Sequence, residues 1–393
     1  MSDLQKSFAR QKFDNLPIDP PLPPNANMLE QEDRDSSSAS SISSTGTIRP
    51  GPGQGLARKR PDANSESYSP VPWHSFFTTT LKLSWVHSPF IYHAYYTPPI
   101  TPEAPLFVLH HGAGCSGLSF AACVSHLKAI APDIGILAAD ARGHGETQFR
   151  PEYGDEELTD GKLNMSLERL ADDLEAVIEL LKKDAGWEHL PNIVLIGHSL
   201  GGAVVTEVAM RGKFGRKVLA FAVLDVVEGS AMDALRSMNA YLAARPQVFP
   251  SLEAGIEWHL RSRTIRNLDS ARISVPSYLK PLASSDGQTT KYEWVTDLAY
   301  TSPYWNDWFG GMSRKFLEAR GGKLLLLAGT DRLDKELMIG QMQGKYQLQV
   351  LPEAGHFIQE DVPEKTAHLL IEFWKRNDGS LLVLPPKVGS AGN

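Results

Sequence analysis

Ser199 lies in Gly197-His198-Ser199-Leu200-Gly201, directly after the apolar run Ile193-Val194-Leu195-Ile196 and ahead of Gly202-Ala203-Val204-Val205. The short β-branched run reads as a buried strand, and the segment after it opens a helix. The backbone between them must turn sharply and under strain, which glycines on both sides of the serine admit. A serine hydroxyl is a weak nucleophile near neutral pH and needs a base to take its proton. His356, in Glu353-Ala354-Gly355-His356, is the best placed of twelve histidines, since only His368 follows it and lies within a predicted helix. His198 sits inside the turn, does not readily fold back on its neighbour, and reads as packing. A base of this kind needs a carboxylate to hold its tautomer and stabilise the imidazolium. Asp225, after Val223-Leu224, and Asp331, after Ala328-Gly329-Thr330, both stand where a strand ends. Asp334 is a weaker third choice and reads as a helix cap. Charge on a tetrahedral intermediate calls for fixed donors: the N–H of Leu200, and that of Ala113 in the loop His111-Gly112-Ala113-Gly114. Together these residues can carry acyl transfer by an activated serine, with no metal and no organic cofactor.

Such groups need a scaffold. Apolar runs predict strands at residues 76–86, 91–96, 106–109, 134–139, 193–196, 218–224, 324–328 and 346–351. Helical spacing marks 119–130, 167–183, with Ser166 as N-cap, and 363–376. Alternating strands and helices predict an α/β protein with a mostly parallel central sheet and helices on both faces. With the serine turn, this is the pattern of the α/β-hydrolase fold. That fold usually places its acid after the seventh strand, which favours Asp331. The loop Asp140-Ala141-Arg142-Gly143-His144-Gly145 reads as structural, with Asp140 and Arg142 fixing neighbouring loops. The alternation breaks at residues 228–320, predicting a cap inserted after strand 6 between core segments 71–227 and 321–378. Trp258, Arg261, Arg263, Trp305 and Trp308 are candidates there for docking a partner, although the tryptophans read better as cap core.

Composition narrows the class. Hydrophobic residues make up 42%, charged residues 22%, and the formal net charge is −7, which argues against a nucleic-acid partner. No apolar stretch approaches the roughly 18 residues that span a bilayer, and the polar N-terminus has no secretory h-region. Cys115 and Cys123 are the only cysteines and match no familiar metal-ligand spacing, so a reducing, intracellular setting (cytoplasmic or nuclear) is expected. Residues 1–70 are Pro- and Ser-rich, with Ser36 to Ser44 and the basic Arg58-Lys59-Arg60, and read as a disordered tail; 379–393 read as a flexible C-terminal tail. A monomer is expected.

Three longer stretches resemble the protein phosphatase methylesterases: Asp225-Val226-Val227-Glu228-Gly229-Ser230-Ala231-Met232-Asp233-Ala234-Leu235, Lys323 through Leu333-Asp334, and Ile339-Gly340-Gln341-Met342-Gln343-Gly344-Lys345. The resemblance spans about residues 70–376. It implies a serine carboxylesterase acting on the C-terminal leucine methyl ester of the type 2A protein phosphatase catalytic subunit, which would be its partner. It also implies that the triad acid is Asp225, with Asp331 in a structural or partner-facing loop. Relatives often carry glycine where Ala113 stands; the N–H remains, but the added methyl narrows the site. A small-molecule carboxylesterase, or a phosphatase-binding module with secondary catalysis, are the competing expectations.

Overall fold

Eight core strands are built on the apolar runs: β1 (Thr79–Leu83), β2 (Phe90–Thr97), β3 (Leu106–His110), β4 (Gly135–Ala139), β5 (Ile193–His198), β6 (Val218–Leu224), β7 (Gly322–Leu327) and β8 (Gln347–Val350). The computed structural model describes residues 68–282, 291–329 and 333–379. The expected tails, including Ser36 to Ser44 and Arg58-Lys59-Arg60, lie wholly or mostly outside the described residues, as does Asp331. The strands order as β1-β2-β4-β3-β5-β6-β7-β8. β2 runs antiparallel to β1 and to β4, and every pairing from β4 onward is parallel. β3, β4 and β5 are buried at every residue, as parallel strands covered on both faces must be.

Helices α1 (Ala121–Ile130), α2 (Leu167–Asp184) and α3 (Leu200–Arg211) follow β3, β4 and β5. Ser166 caps α2 by accepting from the Arg169 N–H, and Lys182 and Lys183 sit in its last turn, where the helix dipole favours cations. Between β6 and β7 the chain leaves the core and forms α4 (Glu228–Ala244), α5 (Leu252–Arg261), α6 (Leu268–Ser274), α7 (Trp305–Phe309) and α8 (Met312–Glu318). A three-stranded antiparallel sheet accompanies them, with Lys291–Trp294 between Val248–Phe249 and Leu279–Leu282. This is the cap after strand 6. It has a small core of its own around Phe249, Ile256, Ile265, Val275 and Tyr278. Trp305 and Trp308 are buried, and Trp258 packs edge-on against Phe249 and Trp294. Arg261 lies on the surface, paired with Glu257.

The chain ends with α9 (Lys335–Met342), α10 (Ile358–Asp361) and α11 (Pro363–Asn377). Asp334 caps α9 by accepting from the Leu337 N–H, the role its position suggested. Alternate residues of each core strand face opposite sides. Val108, Leu195, Val223 and Leu325 pack against α2 and α3, while Phe107, Ile196, Ala222 and Leu326 pack against α1 and α11.

The loop after β4 is held by two buried charges. Asp140 accepts from the N–H groups of Gly117 (2.8 Å) and Glu146 (3.0 Å) and lies 2.7 Å from His93 Nδ1. A Cβ on Gly145, whose φ is +49°, would overlap that carboxylate, so only glycine fits the turn. Arg142 is 1% exposed. It forks onto Asp173 at 2.5 and 2.7 Å and reaches Glu157 (2.7 Å) and the Asn164 carbonyl (2.9 Å), with its guanidinium over Phe90. Tyr92 completes the group by donating to Asp173 at 2.6 Å. Removing the cation from such a set leaves buried Asp173 without a cation and Glu157 with Arg169 at 3.8 Å, which costs more than the intact pairs contribute. Arg142→Met should therefore lower the unfolding free energy by about 3–5 kcal/mol, measured by urea titration at pH 7. A change below about 1 kcal/mol would mean that the carboxylates are already neutral or hydrated.

Candidate active site

The C-terminal ends of β3, β5, β6 and the loop after β8 converge. Ser199 follows β5 with φ +52° and ψ −120°, a conformation that non-glycine residues avoid. Two glycines permit it. A Cβ on Gly197 would overlap the Gly201 carbonyl, and one on Gly201 would overlap the carbonyl of His110 at the end of β3. The serine turn is thus pressed backbone to backbone against the start of the His111–Gly114 loop. A Cβ on Gly112 would sit 3.2 Å from Ser199 Cβ, so this loop runs directly beside Ser199.

Asp225 follows β6, also at positive φ (+51°). Its N–H donates to the Leu326 carbonyl, and its Oδ1 accepts from the Ala328 N–H at 2.8 Å. The other oxygen, Oδ2, is 2.8 Å from His356 Nδ1. The carboxylate is mostly shielded and the imidazole is half exposed (side-chain accessibility 19% and 49%). A carboxylate accepts, so Nδ1 carries the hydrogen, and His356 Nε2 is left without a partner among the described residues. Ser199 Oγ likewise makes no hydrogen bond among them. The N–H groups of Ala113 and Leu200 are also unspent there, as donors awaiting an oxyanion would be.

The remaining residues of the Asp225 motif have their own work. Val226 and Val227 are buried, and the Glu228 carboxylate accepts from the N–H groups of Gly311 (2.9 Å) and Ser313 (3.0 Å) at the start of α8. One short segment therefore meets the histidine and stitches the cap's first and last helices together. Glu228 was not singled out in the sequence; an acidic residue directly after a valine pair carried no local signal for a contact 83 residues away.

Buried histidines hold the Ala113 loop. His111 Nε2 accepts from the Ala141 N–H (3.0 Å), while its Nδ1–H donates to the Gly112 carbonyl (2.7 Å). His144 Nε2 accepts from the Gly114 N–H (2.9 Å), and its Nδ1–H donates to the Arg142 carbonyl (2.9 Å). Both rings are neutral by this geometry, because protonation would set N–H against N–H. Burial pushes both below the ordinary imidazole range, His111 far below. Burial also lowers His110 and His259 to about 4. His198, read from sequence as packing, does more: its Nε2 lies 2.8 Å from the His356 carbonyl. Among the described residues no group of three or more His, Cys, Asp or Glu side chains is placed to hold a metal ion, and no helix is long and apolar enough to cross a membrane.

The α/β hydrolase family model matches residues 107–369. The chain is 56% identical to protein phosphatase methylesterase 1 of Aspergillus fumigatus, over 99% of this chain and 92% of that one. It is 54% identical to the protein of the same name from Gibberella zeae (99% and 98%) and 44% identical to that of Schizosaccharomyces pombe (83% and 90%). Among solved structures, E-2-(acetamidomethylene)succinate hydrolase aligns over 76% of this chain and 98% of its own with TM-score 0.56 at 18% identity, a likeness of fold.

The buried neutral histidines carry a sign. Their folded pKa values lie below the unfolded value of about 6.5, so the stability they contribute is whole above pH 6.5 and is lost as pH falls toward the folded values. His111→Gln removes one such group. Between pH 6.5 and 5 its unfolding free energy should fall less steeply than that of wild type, by about 1 kcal/mol per pH unit, in urea titrations at each pH. Parallel slopes would show that His111 titrates alike in both states.

Proposed function

This chain belongs to the protein phosphatase methylesterase family of α/β-hydrolases, and we propose that it demethylates the C-terminal leucine methyl ester of the type 2A protein phosphatase catalytic subunit, with Ser199, His356 and Asp225 as its triad. The observation that carries the mechanism is the 2.8 Å contact of His356 Nδ1 with Asp225, beside a serine held at positive φ. The identity to proteins named protein phosphatase methylesterase 1 supports the substrate.

The ester enters between core and cap with its carbonyl over Ser199. Oγ attacks that carbon, and its proton passes to His356 Nε2. Asp225, fixed by the Ala328 N–H, stabilises the imidazolium without taking the proton. The new oxyanion lies against the N–H groups of Ala113 and Leu200, each such donor being worth about 3 kcal/mol of barrier. Collapse breaks the bond to methoxide, which takes the His356 proton and leaves as methanol. Water then attacks the acyl-enzyme, giving its proton to His356. The second collapse returns that proton to Ser199 Oγ and frees the leucine carboxylate.

The test incubates methylated phosphatase with wild type, Ser199→Ala, Asp225→Asn and Asp331→Asn, and follows loss of the terminal methyl by mass. Ser199→Ala should be inactive, Asp225→Asn should fall by about 10³–10⁴-fold, and Asp331→Asn should stay within a few fold of wild type. The reverse pattern for the two aspartates would move the acid to Asp331. Turnover of short acyl esters with none of the methylated phosphatase would make this a small-molecule esterase.

A further inference from the structure

His198 stands next to the nucleophile in sequence, but its ring points elsewhere. Its Nε2 lies 2.8 Å from the carbonyl oxygen of His356, and a carbonyl only accepts, so Nε2 carries the hydrogen. The ring packs 4.8 Å from that of His356 and 5.0 Å from Phe357. On its other side a Cβ on Gly112 would come within 3.0 Å of His198 Nδ1, which leaves the ring wedged against the Ala113 loop. It is 1% exposed, and Nδ1 has no partner among the described residues. A buried imidazole with an unsatisfied nitrogen is a costly way to fill space that phenylalanine or methionine could fill.

The rest of the His356 loop is tied outward, to its own helix and to the cap. The Gly355 N–H donates to Asp361 (2.6 Å), and the Glu353 carbonyl accepts from Arg266 in the cap (3.1 Å). The His198 bond runs inward instead. It connects the peptide of His356 to the end of β5, next to Ser199.

We propose that His198 is a positioning residue for the catalytic base: its Nε2–H holds the His356 carbonyl, and its wedged ring sets the base loop in register with the serine turn and the Ala113 loop. This rests on His356 being the base of the reaction proposed above. Without the tie, the His356 ring keeps its Asp225 contact only intermittently and points less often at Ser199. A displacement near 1 Å can cost about 10²-fold in rate.

The experiment compares wild type, His198→Phe, His198→Met and His198→Gln, reading only variants that melt within a few degrees of wild type, with Ser199→Ala alongside. The apolar variants should lose about 10- to 100-fold in kcat with KM within about threefold. Gln, whose amide can donate from the Nε2 position, should recover most of that loss. The downfield proton resonance of the His356–Asp225 bond should broaden in the apolar variants and sharpen again in His198→Gln. A folded apolar variant with wild-type kcat would overturn the proposal, as would His198→Gln falling as far as His198→Phe. Should neither apolar variant fold, wild type decides: nitrogen shifts of His198 at pH 7 must show hydrogen on Nε2, and hydrogen on Nδ1 with bare Nε2 would overturn it. An active Ser199→Ala would instead sink the triad, whatever the His198 variants do.

Discussion

The active-site architecture depends on one close approach: the backbone of Gly201 lies against the carbonyl of His110, with no room for a side chain between them. β3 and β5 are parallel neighbours, so their C-terminal ends emerge side by side. The turn that raises Ser199 and the loop that presents Ala113 must then share the same few ångströms. Glycine at 201 lets the two backbones meet, glycine at 197 lets the serine turn close on itself, and the meeting brings Ser199 and the Ala113 loop together. A side chain at 201 would have to push the serine turn away from the loop, and one at 197 would force the turn itself open, either way parting Ser199 from the Ala113 loop. Geometry at this junction therefore precedes any question of which groups ionise.

Burial then sets five histidines apart from His356. His110, His111, His144, His198 and His259 are buried and held below their ordinary pKa, and the carbonyls and N–H groups around His111 and His144 suit only the neutral ring. His356 is placed differently: half its side chain meets solvent, and a carboxylate accepts from Nδ1. A ring so placed can become a cation beside Asp225 and release the proton again. The rings of His111 and His144 serve as rigid donor–acceptor struts, a use of histidine that depends on its not titrating.

Much of this was legible in the sequence because the signals are local. The serine turn needs glycines beside it, the strands are short apolar runs, Ser166 and Asp334 are caps, and each can be read from a few neighbouring residues. The cap was legible only as a break in alternation, since its small sheet pairs residues 248–249 with 292–293 and leaves no periodic trace. Pattern alone left Asp225 and Asp331 open, because both end strands; family resemblance pointed to Asp225. The His198 bond to residue 356, the Glu228 clasp on α8 and the paired struts of His111 and His144 were missed. All are contacts between side chain and backbone across 30 to 158 residues, and nothing in the identity of a buried histidine says which carbonyl it will meet.

The Asp225–Glu228 segment shows why one stretch of sequence can be constrained at every position. At Asp225 the chain turns through positive φ so that the carboxylate can face His356 while its own N–H stays bonded to β7. Two buried valines follow, and Glu228 then opens α4 while satisfying the first N–H groups of α8. The carboxylate that meets His356 and the anchor of the cap are thus three residues apart on one short segment. A shift of α4 or α8 pulls on Glu228, and through Val226 and Val227 on Asp225, whose position sets that of the imidazole. In this fold the cap is therefore mechanically joined to Asp225 through Glu228.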